Sequence, residues 1–126
     1  MKISLILISS LILLLLDSIY LSYIGNFFNK QIIKVQGSPL KLNIWGAILS
    51  YLFLIIGINY FIIQKGESWQ DAFLLGLVIY GVYEATNYAI IKNWNISSVI
   101  IDTLWGGILF ALTTHLTYLI YNRNFK

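Results

Sequence analysis

Residues 42–63 read LNIWGAILSYLFLIIGINYFII, a run of 22 residues without a charged side chain. A membrane-spanning α-helix needs about 20 predominantly apolar residues to cross a hydrocarbon core that is ~30 Å thick. Backbone groups inside lipid find no water to bond, so a run of this length is expected to form a helix rather than barrel strands. This stretch predicts an integral membrane protein.

The sequence divides into four such apolar spans, at about residues 3–25, 40–63, 71–91 and 96–121. Together they predict an all-α fold, a bundle of four transmembrane helices that forms a single membrane domain over residues 1–126. Between the first two spans, residues 26–38 mix lysines with apolar and aromatic side chains. This mixture predicts an interfacial loop with its lysines toward the lipid headgroups.

Helix-capping signals stand in the polar breaks between the spans. Ser38 followed by Pro39 predicts the start of the second helix, with the serine as N-cap and the proline at the first helical position. Residues 68–71 (SWQD) have the spacing of a capping box and predict the start of the third helix. Either Asn95 or Ser97 has the side chain needed to cap the fourth.

Composition agrees with a multi-pass membrane protein surrounded by lipid. Apolar residues make up 59% of the chain and charged residues 10%, against ~45–50% and ~25% in soluble proteins. A net charge of +3 with dispersed lysines argues against nucleic-acid binding, and the absence of cysteine excludes thiol chemistry. Lysine and arginine residues divide four against four between the two sides, so the positive-inside rule leaves the orientation undecided.

Three carboxyl groups lie within the predicted spans, those of Asp17, Glu84 and Asp102. At a rise of ~1.5 Å per residue, all three lie ~9–12 Å from the same membrane surface. A charge in the bilayer core costs at least ~2.5–3.5 kcal/mol, and no lysine or arginine lies at that depth to offset it. The sequence therefore predicts a polar, carboxyl-lined pocket that opens toward the side of the first and third loops.

Hydrogen-bonding side chains stand close to each carboxyl in the sequence, most of them three or four positions away on the same helix face. They are Tyr20, Tyr80, Thr86, Asn87, Tyr88 and Trp105. Tyrosine and threonine hydroxyls, an asparagine amide and an indole N–H can all bond carboxyl oxygens. These residues and the three carboxyls are the candidates for a polar site.

Three functions are compatible with these residues. The favoured one is binding or translocation of protons or small cations, in which Asp17, Glu84 and Asp102 would be the ligands if a hard cation binds. The second is an embedded enzyme or binder for a lipid or isoprenoid-like molecule, with a carboxyl as general acid or base. The third is a structural or assembly subunit whose carboxyls only join helices.

No motif of a known enzyme or nucleotide site is present, which disfavours an enzyme and predicts neither a cofactor nor a dedicated metal site. Membrane lipids are the expected surroundings and partners. Four short helices enclose little space, so translocation would require a homo-oligomer or a very narrow path. A homo-oligomer would change the assembly of the protein but not the choice of candidate site residues.

Short motifs in three of the spans resemble those of a known family. Residues 17–21 (DSIYL) resemble its Asp-x-x-Trp-Leu, and residues 83–87 (YEATN) resemble its Tyr-Asp-x-Thr-Asn. Trp94, followed by residues 102–106 (DTLWG), resembles its Trp and Asp-x-x-Trp-Gly elements. The family is the small four-span membrane proteins filed as domain of unknown function 2177.

The resemblance covers nearly the whole chain and implies a four-helix topology and the same choice of polar residues. It implies no activity, because the family has none to carry over. The sequence departs from the family pattern at two positions, with Tyr20 in place of tryptophan and Glu84 in place of aspartate. The longer glutamate side chain keeps the carboxyl but moves it by about one methylene.

Overall fold

The structure, a computed structural model, describes residues 1–121, and all regular secondary structure in that range is helical. The helices are α1 (Ile3–Gln36), α2 (Ile44–Ile58) with a π-helical turn (Asn59–Ile63), α3 (Trp69–Ile90) and α4 (Ile96–Tyr121). With the π-helical turn joined to α2, four helices are long and apolar enough to cross a membrane. The all-α bundle of four transmembrane helices is confirmed. Arg123 and Lys126, two residues of the orientation count, lie outside the described residues.

The first helix is much longer than a membrane span requires. It contains 34 residues, or about 51 Å at ~1.5 Å per residue, against a core of ~30 Å. The sequence predicts an interfacial loop over residues 26–38, but residues 26–36 continue α1, because they contain neither proline nor glycine. The helix ends at Gly37, which has a φ of 77° and donates its N–H to the Ile33 carbonyl at 2.8 Å.

The second helix begins later than its predicted cap. It starts at Ile44, and the side chain of Asn43 accepts hydrogen bonds from two backbone N–H groups of the first turn, at 3.1 and 3.2 Å. The carbonyl groups of Ser38 and Pro39 instead accept hydrogen bonds from the Gln36 amide, at 3.1 and 3.0 Å. The predicted serine–proline start is therefore wrong, since that segment is tied back to the end of α1.

The other two caps form as predicted. The Ser68 hydroxyl accepts a hydrogen bond from the Asp71 backbone N–H at 3.1 Å, at the start of α3. The Asn95 side chain accepts one from the Ser97 backbone N–H, also at 3.1 Å, at the start of α4. Both caps satisfy backbone donors that a helix leaves free in its first turn.

α4 lies at the centre of the bundle, because α1 and α3 both pack against it, whereas α2 packs mainly against α1. Glycines permit the close contact between α3 and α4. A Cβ atom on Gly76 would overlap the Gly106 backbone, and one on Gly107 would overlap the Phe73 ring. Small residues let membrane helices approach closely in this way. The looser packing of α2 leaves a groove between α2 and α3.

Polar side chains form hydrogen bonds inside the bundle, and large apolar side chains lie on its outer surface. In the π-helical turn, the buried Asn59 amide donates hydrogen bonds to the Ser9 hydroxyl and to the Ile55 carbonyl, both at 3.0 Å, which ties α2 to α1. The outer surface carries exposed large apolar residues such as Leu11 and Ile100. A surface that faces lipid is expected to be apolar, because the hydrocarbon tails offer no hydrogen-bond partners to polar side chains.

Candidate functional site: the intramembrane carboxyl groups

Asp17 receives hydrogen bonds from two other helices. The Trp105 indole of α4 donates its Nε1–H to Asp17 Oδ1 at 2.9 Å. The Tyr51 hydroxyl of α2 donates to Asp17 Oδ2. Asp17 itself is 7% exposed, so it is nearly enclosed. Each of its oxygens thus accepts a hydrogen bond, and the side chain joins α1, α2 and α4.

Glu84 of α3 and Asp102 of α4 form a carboxyl pair. The two groups lie within hydrogen-bonding reach of each other. Ionised carboxylates can only accept hydrogen bonds, so a bond between these two requires a proton on one of them. Glu84 is 1% exposed, and its Oε1 also accepts a hydrogen bond from the Trp94 indole at 3.0 Å. Trp94 lies in the short loop between α3 and α4.

Tyr20 connects Asp17 with the carboxyl pair. Its ring stacks on the Trp105 indole, with a centroid distance of 4.4 Å and an interplanar angle of 4°. Its hydroxyl donates to Asp102 Oδ1 at 3.4 Å, longer than the usual ~2.5–3.0 Å for such a bond. It also lies close enough to all three carboxyls to interact electrostatically with each. We define the carboxyl cluster as Asp17, Tyr20, Tyr51, Glu84, Trp94, Asp102 and Trp105.

A groove of about 390 Å³ between α2 and α3 reaches one member of the cluster. Its lining residues are Ser50, Phe53, Leu54, Ile79, Tyr80, Tyr83 and Asp102. Phe53 and Tyr83 are exposed on the outer surface, so the groove opens sideways, toward lipid. The predicted opening toward the first and third loops is not the direction of this groove. Its base is polar and its walls are largely apolar or aromatic.

Six of the nine predicted site residues are brought together: Asp17, Tyr20, Glu84, Asp102 and Trp105 belong to the carboxyl cluster, and Tyr80 lines the groove beside it. The other three are not. Within residues 1–121, no side chain of Thr86, Asn87 or Tyr88 hydrogen-bonds to a carboxyl, and both Thr86 and Tyr88 are exposed. Those three lie in the last turns of α3, close to its end at Ile90.

Two members of the cluster, Tyr51 and Trp94, are absent from the predicted site. Tyr51 stands in the charge-free second span, where no carboxyl lies at helical spacing. A tyrosine hydroxyl within such an apolar run is the sequence signal that could have indicated a role for Tyr51 in the site. Trp94 is ten residues from Glu84, beyond the reach of helical spacing, although it is one of the motif residues.

The three carboxyls do not converge as the ligands of one cation would. Among residues 1–121, no group of three or more histidine, cysteine, aspartate and glutamate side chains has an arrangement suited to a metal ion. Both oxygens of Asp17 already accept hydrogen bonds from neighbouring helices. The bonding environment of Asp17 therefore differs from that of the Glu84–Asp102 pair, although Tyr20 lies close to all three carboxyls.

Four long apolar helices around buried carboxyl groups define an integral, multi-pass membrane protein. The family described as "Predicted membrane protein (DUF2177)" matches residues 2–119, and the chain belongs to it. No curated protein and no solved structure matches the chain. The family description names a membrane protein and no activity.

Proposed function

We propose that this protein binds a proton reversibly at the Glu84–Asp102 pair and contributes to proton movement across its membrane. The observation that carries the proposal is the contact between two carboxyl groups inside a bundle that offers no basic residue at their depth. Two ionised carboxylates in contact repel each other in a medium of low dielectric constant. One shared proton removes that repulsion and supplies the hydrogen bond between them.

Two neutral donors support a pair that holds one proton and one negative charge. The Trp94 indole donates to Glu84 and the Tyr20 hydroxyl donates to Asp102, so each carboxyl has a donor besides its partner. Hydrogen bonds to an ionised acceptor are about twice as strong as those between neutral groups. Such donors stabilise the remaining negative charge in either position of the proton. A proton can therefore enter or leave the pair without a bound cation to balance the remaining negative charge.

Infrared spectroscopy of the protein in lipid nanodiscs tests proton binding directly. We expect a carbonyl stretch from a protonated carboxyl that disappears as the pH is raised, and that is lost in both Glu84→Gln and Asp102→Asn. The matched control is Asp71→Asn, which removes an exposed carboxyl at the far end of α3. An unchanged band in both pair variants would refute proton binding by the pair, provided that thermal unfolding shows each variant to be folded.

Proteoliposomes carrying a pH-sensitive dye test movement of the bound proton. We expect flux driven by a pH gradient to fall ~100-fold or more in Glu84→Gln, the size of loss typical for removal of a positioned proton-transfer group. The narrow bundle makes an interface between copies the natural path, so we also propose a homo-oligomer, detectable by crosslinking in membranes. Equal flux in wild type and Glu84→Gln would rule out a role of the pair in transport.

The groove between α2 and α3 supports a second candidate function, the binding of a lipid or isoprenoid-like molecule. Its walls suit an apolar chain, and Asp102 at its base suits a polar end group. Native mass spectrometry is expected to show a retained lipid that is lost when Ile79→Trp fills the groove. Leu74→Trp, at an exposed position on the same helix, is the control. Identical ligand retention in both variants would contradict this function.

A further inference from the structure

A second, smaller cavity lies at the carboxyl-terminal end of α1, away from the carboxyl cluster. Its volume is about 120 Å³, and it is lined by Phe27, Lys30, Gln31, Lys34 and Asn95. The two lysines stand four positions apart, on one face of the helix. The volume is about four times the ~30 Å³ that one water molecule takes up in the liquid. A phosphate group, with five heavy atoms, matches a space of this size.

Gln31 carries a buried donor that no group of the described chain accepts. Its Oε1 accepts hydrogen bonds from the Asn95 backbone N–H at 2.8 Å and from the Ser98 hydroxyl at 2.6 Å. The backbone donor fixes the orientation of the amide, because a flipped amide would set N–H against N–H. Gln31 is 4% exposed, and its Nε2 has no hydrogen-bond partner within residues 1–121. Buried donors without an acceptor are rare, so this one calls for an explanation.

The charge and depth of this end of the molecule favour an anion. Lys30 lies about 27 residues into α1, or ~40 Å along its axis, which is beyond a ~30 Å hydrocarbon core and at the level of headgroups. Lys41 and Lys92 lie in the two loops at the same end. The two acidic residues outside the carboxyl cluster, Glu67 and Asp71, lie at the opposite end of the bundle. No carboxylate of the described loops therefore competes for these lysines.

We propose that this cavity binds a phosphate group at the membrane surface, either that of an anionic phospholipid or free phosphate. Lys30 and Lys34 supply the positive charge, and Gln31 Nε2 donates a hydrogen bond to a phosphate oxygen. The start of α4 lies beside the cavity, and the amino-terminal end of a helix carries a partial positive charge. The unmet amide donor is what separates a built site from general attraction between lysines and an anionic surface.

Native mass spectrometry from nanodiscs of phosphatidylglycerol mixed with phosphatidylcholine tests the site. We expect retained phosphatidylglycerol to fall ~10-fold or more in Lys30→Gln/Lys34→Gln. Gln31→Glu, which keeps the acceptor oxygen and replaces the donor with a second oxygen, is expected to cause a similar loss. The matched control is Lys41→Gln/Lys92→Gln, which removes two lysines from the same end and leaves the cavity intact; we expect less than ~2-fold change.

Inorganic phosphate distinguishes the two sources of the anion. Displacement of phosphatidylglycerol by millimolar phosphate, with chloride at the same ionic strength as the control, would show a site that also takes free phosphate. Retention of the lipid would show a lipid headgroup site. Equal losses in the two double-lysine variants would overturn the proposal, because they would indicate diffuse attraction to the membrane surface. The proposal is also overturned if Gln31→Glu has a wild-type unfolding temperature, which shows that it is folded, and retains as much lipid as wild type.

Discussion

Asp17 and the Glu84–Asp102 pair are the same kind of group at similar depth, yet their surroundings differ. Asp17 accepts one hydrogen bond at each oxygen, from side chains of α2 and α4. Glu84 and Asp102 instead lie within hydrogen-bonding reach of each other, and Asp102 also reaches the groove between α2 and α3. Asp17 has the surroundings of a helix clamp, whereas the pair is the place where we propose that a proton is exchanged.

This difference shows that an ionisable residue in a membrane span is not by itself a functional site. Interhelical hydrogen bonds in membranes average about 0.6 kcal/mol, so a carboxyl with two good donors has a sufficient structural role. A carboxyl whose nearest partner is another carboxyl lacks that explanation. The comparison predicts that changes around Asp17 alter stability, and that changes around the pair alter proton binding.

The largest stability effect is expected for Asp17→Leu. The change leaves the Tyr51 hydroxyl and the Trp105 indole N–H without an acceptor, and each buried unsatisfied group costs ~1–3 kcal/mol. We expect the free energy of unfolding to fall by about 2–6 kcal/mol, measured by titration from mild detergent into dodecyl sulfate. The infrared carboxyl band of the pair should persist. Wild-type stability in Asp17→Leu would overturn the assignment of a clamp.

A smaller loss is expected for Trp105→Phe. The phenylalanine can keep a stacked contact with Tyr20 but removes the donor to Asp17 Oδ1. One hydrogen bond to a carboxyl corresponds to ~1–2 kcal/mol of unfolding free energy. The matched control is Trp45→Phe, since Trp45 is 76% exposed near the start of α2 and should change stability little. Equal losses at the two positions would mean that the hydrogen bond contributes nothing.

The membrane fold was predictable because it depends on apolar runs whose length is set by the bilayer. The ends of helices were less so. α1 continues through residues 26–36 because helix formation there needs only the absence of a breaker, and the alternation of lysines with apolar residues fits a helix as well as an interfacial loop. The start of α2 depends on Asn43, which competes with the Ser38–Pro39 signal five positions earlier.

The site was predictable only in its carboxyls and their neighbours along the chain. Depth along each helix follows from sequence position, which brings Asp17, Glu84 and Asp102 to a similar level. Partners across helices depend on how far each helix is rotated, and spacing carries no information about that. Tyr51 could not be paired with Asp17 for this reason, and Tyr88 shares a face with Glu84 yet lies exposed at the end of α3.

A still smaller effect, confined to the pair, is expected for Trp94→Phe. It removes the indole donor to Glu84, in a loop side chain that is only partly buried. We expect a loss of about 0.5–1 kcal/mol in unfolding free energy. A double-mutant cycle should show coupling of that size with Glu84→Leu, which removes the acceptor oxygen, and none with Asp17→Leu. Coupling to Asp17 would contradict the separation of the clamp from the pair.

The smallest stability effect, below ~0.5 kcal/mol, is expected for Tyr20→Phe, because the hydroxyl bond to Asp102 is long at 3.4 Å and the ring can keep its stack on Trp105. The same change should move the infrared carboxyl band of the pair to higher frequency, because a carbonyl that loses a hydrogen-bond donor has a stiffer double bond. The control is Tyr23→Phe on the same helix, where the side chain is 87% exposed.

Tyr20 contacts both groups of residues, because its ring stacks on Trp105, the donor to Asp17, and its hydroxyl donates to Asp102 of the pair. A band shift with unchanged stability would assign its hydroxyl to the pair alone. A stability loss as large as that of Trp105→Phe, with the band unmoved, would instead make the hydroxyl part of the clamp. The pair would then lose one of the two donors on which its capacity to hold a single negative charge depends.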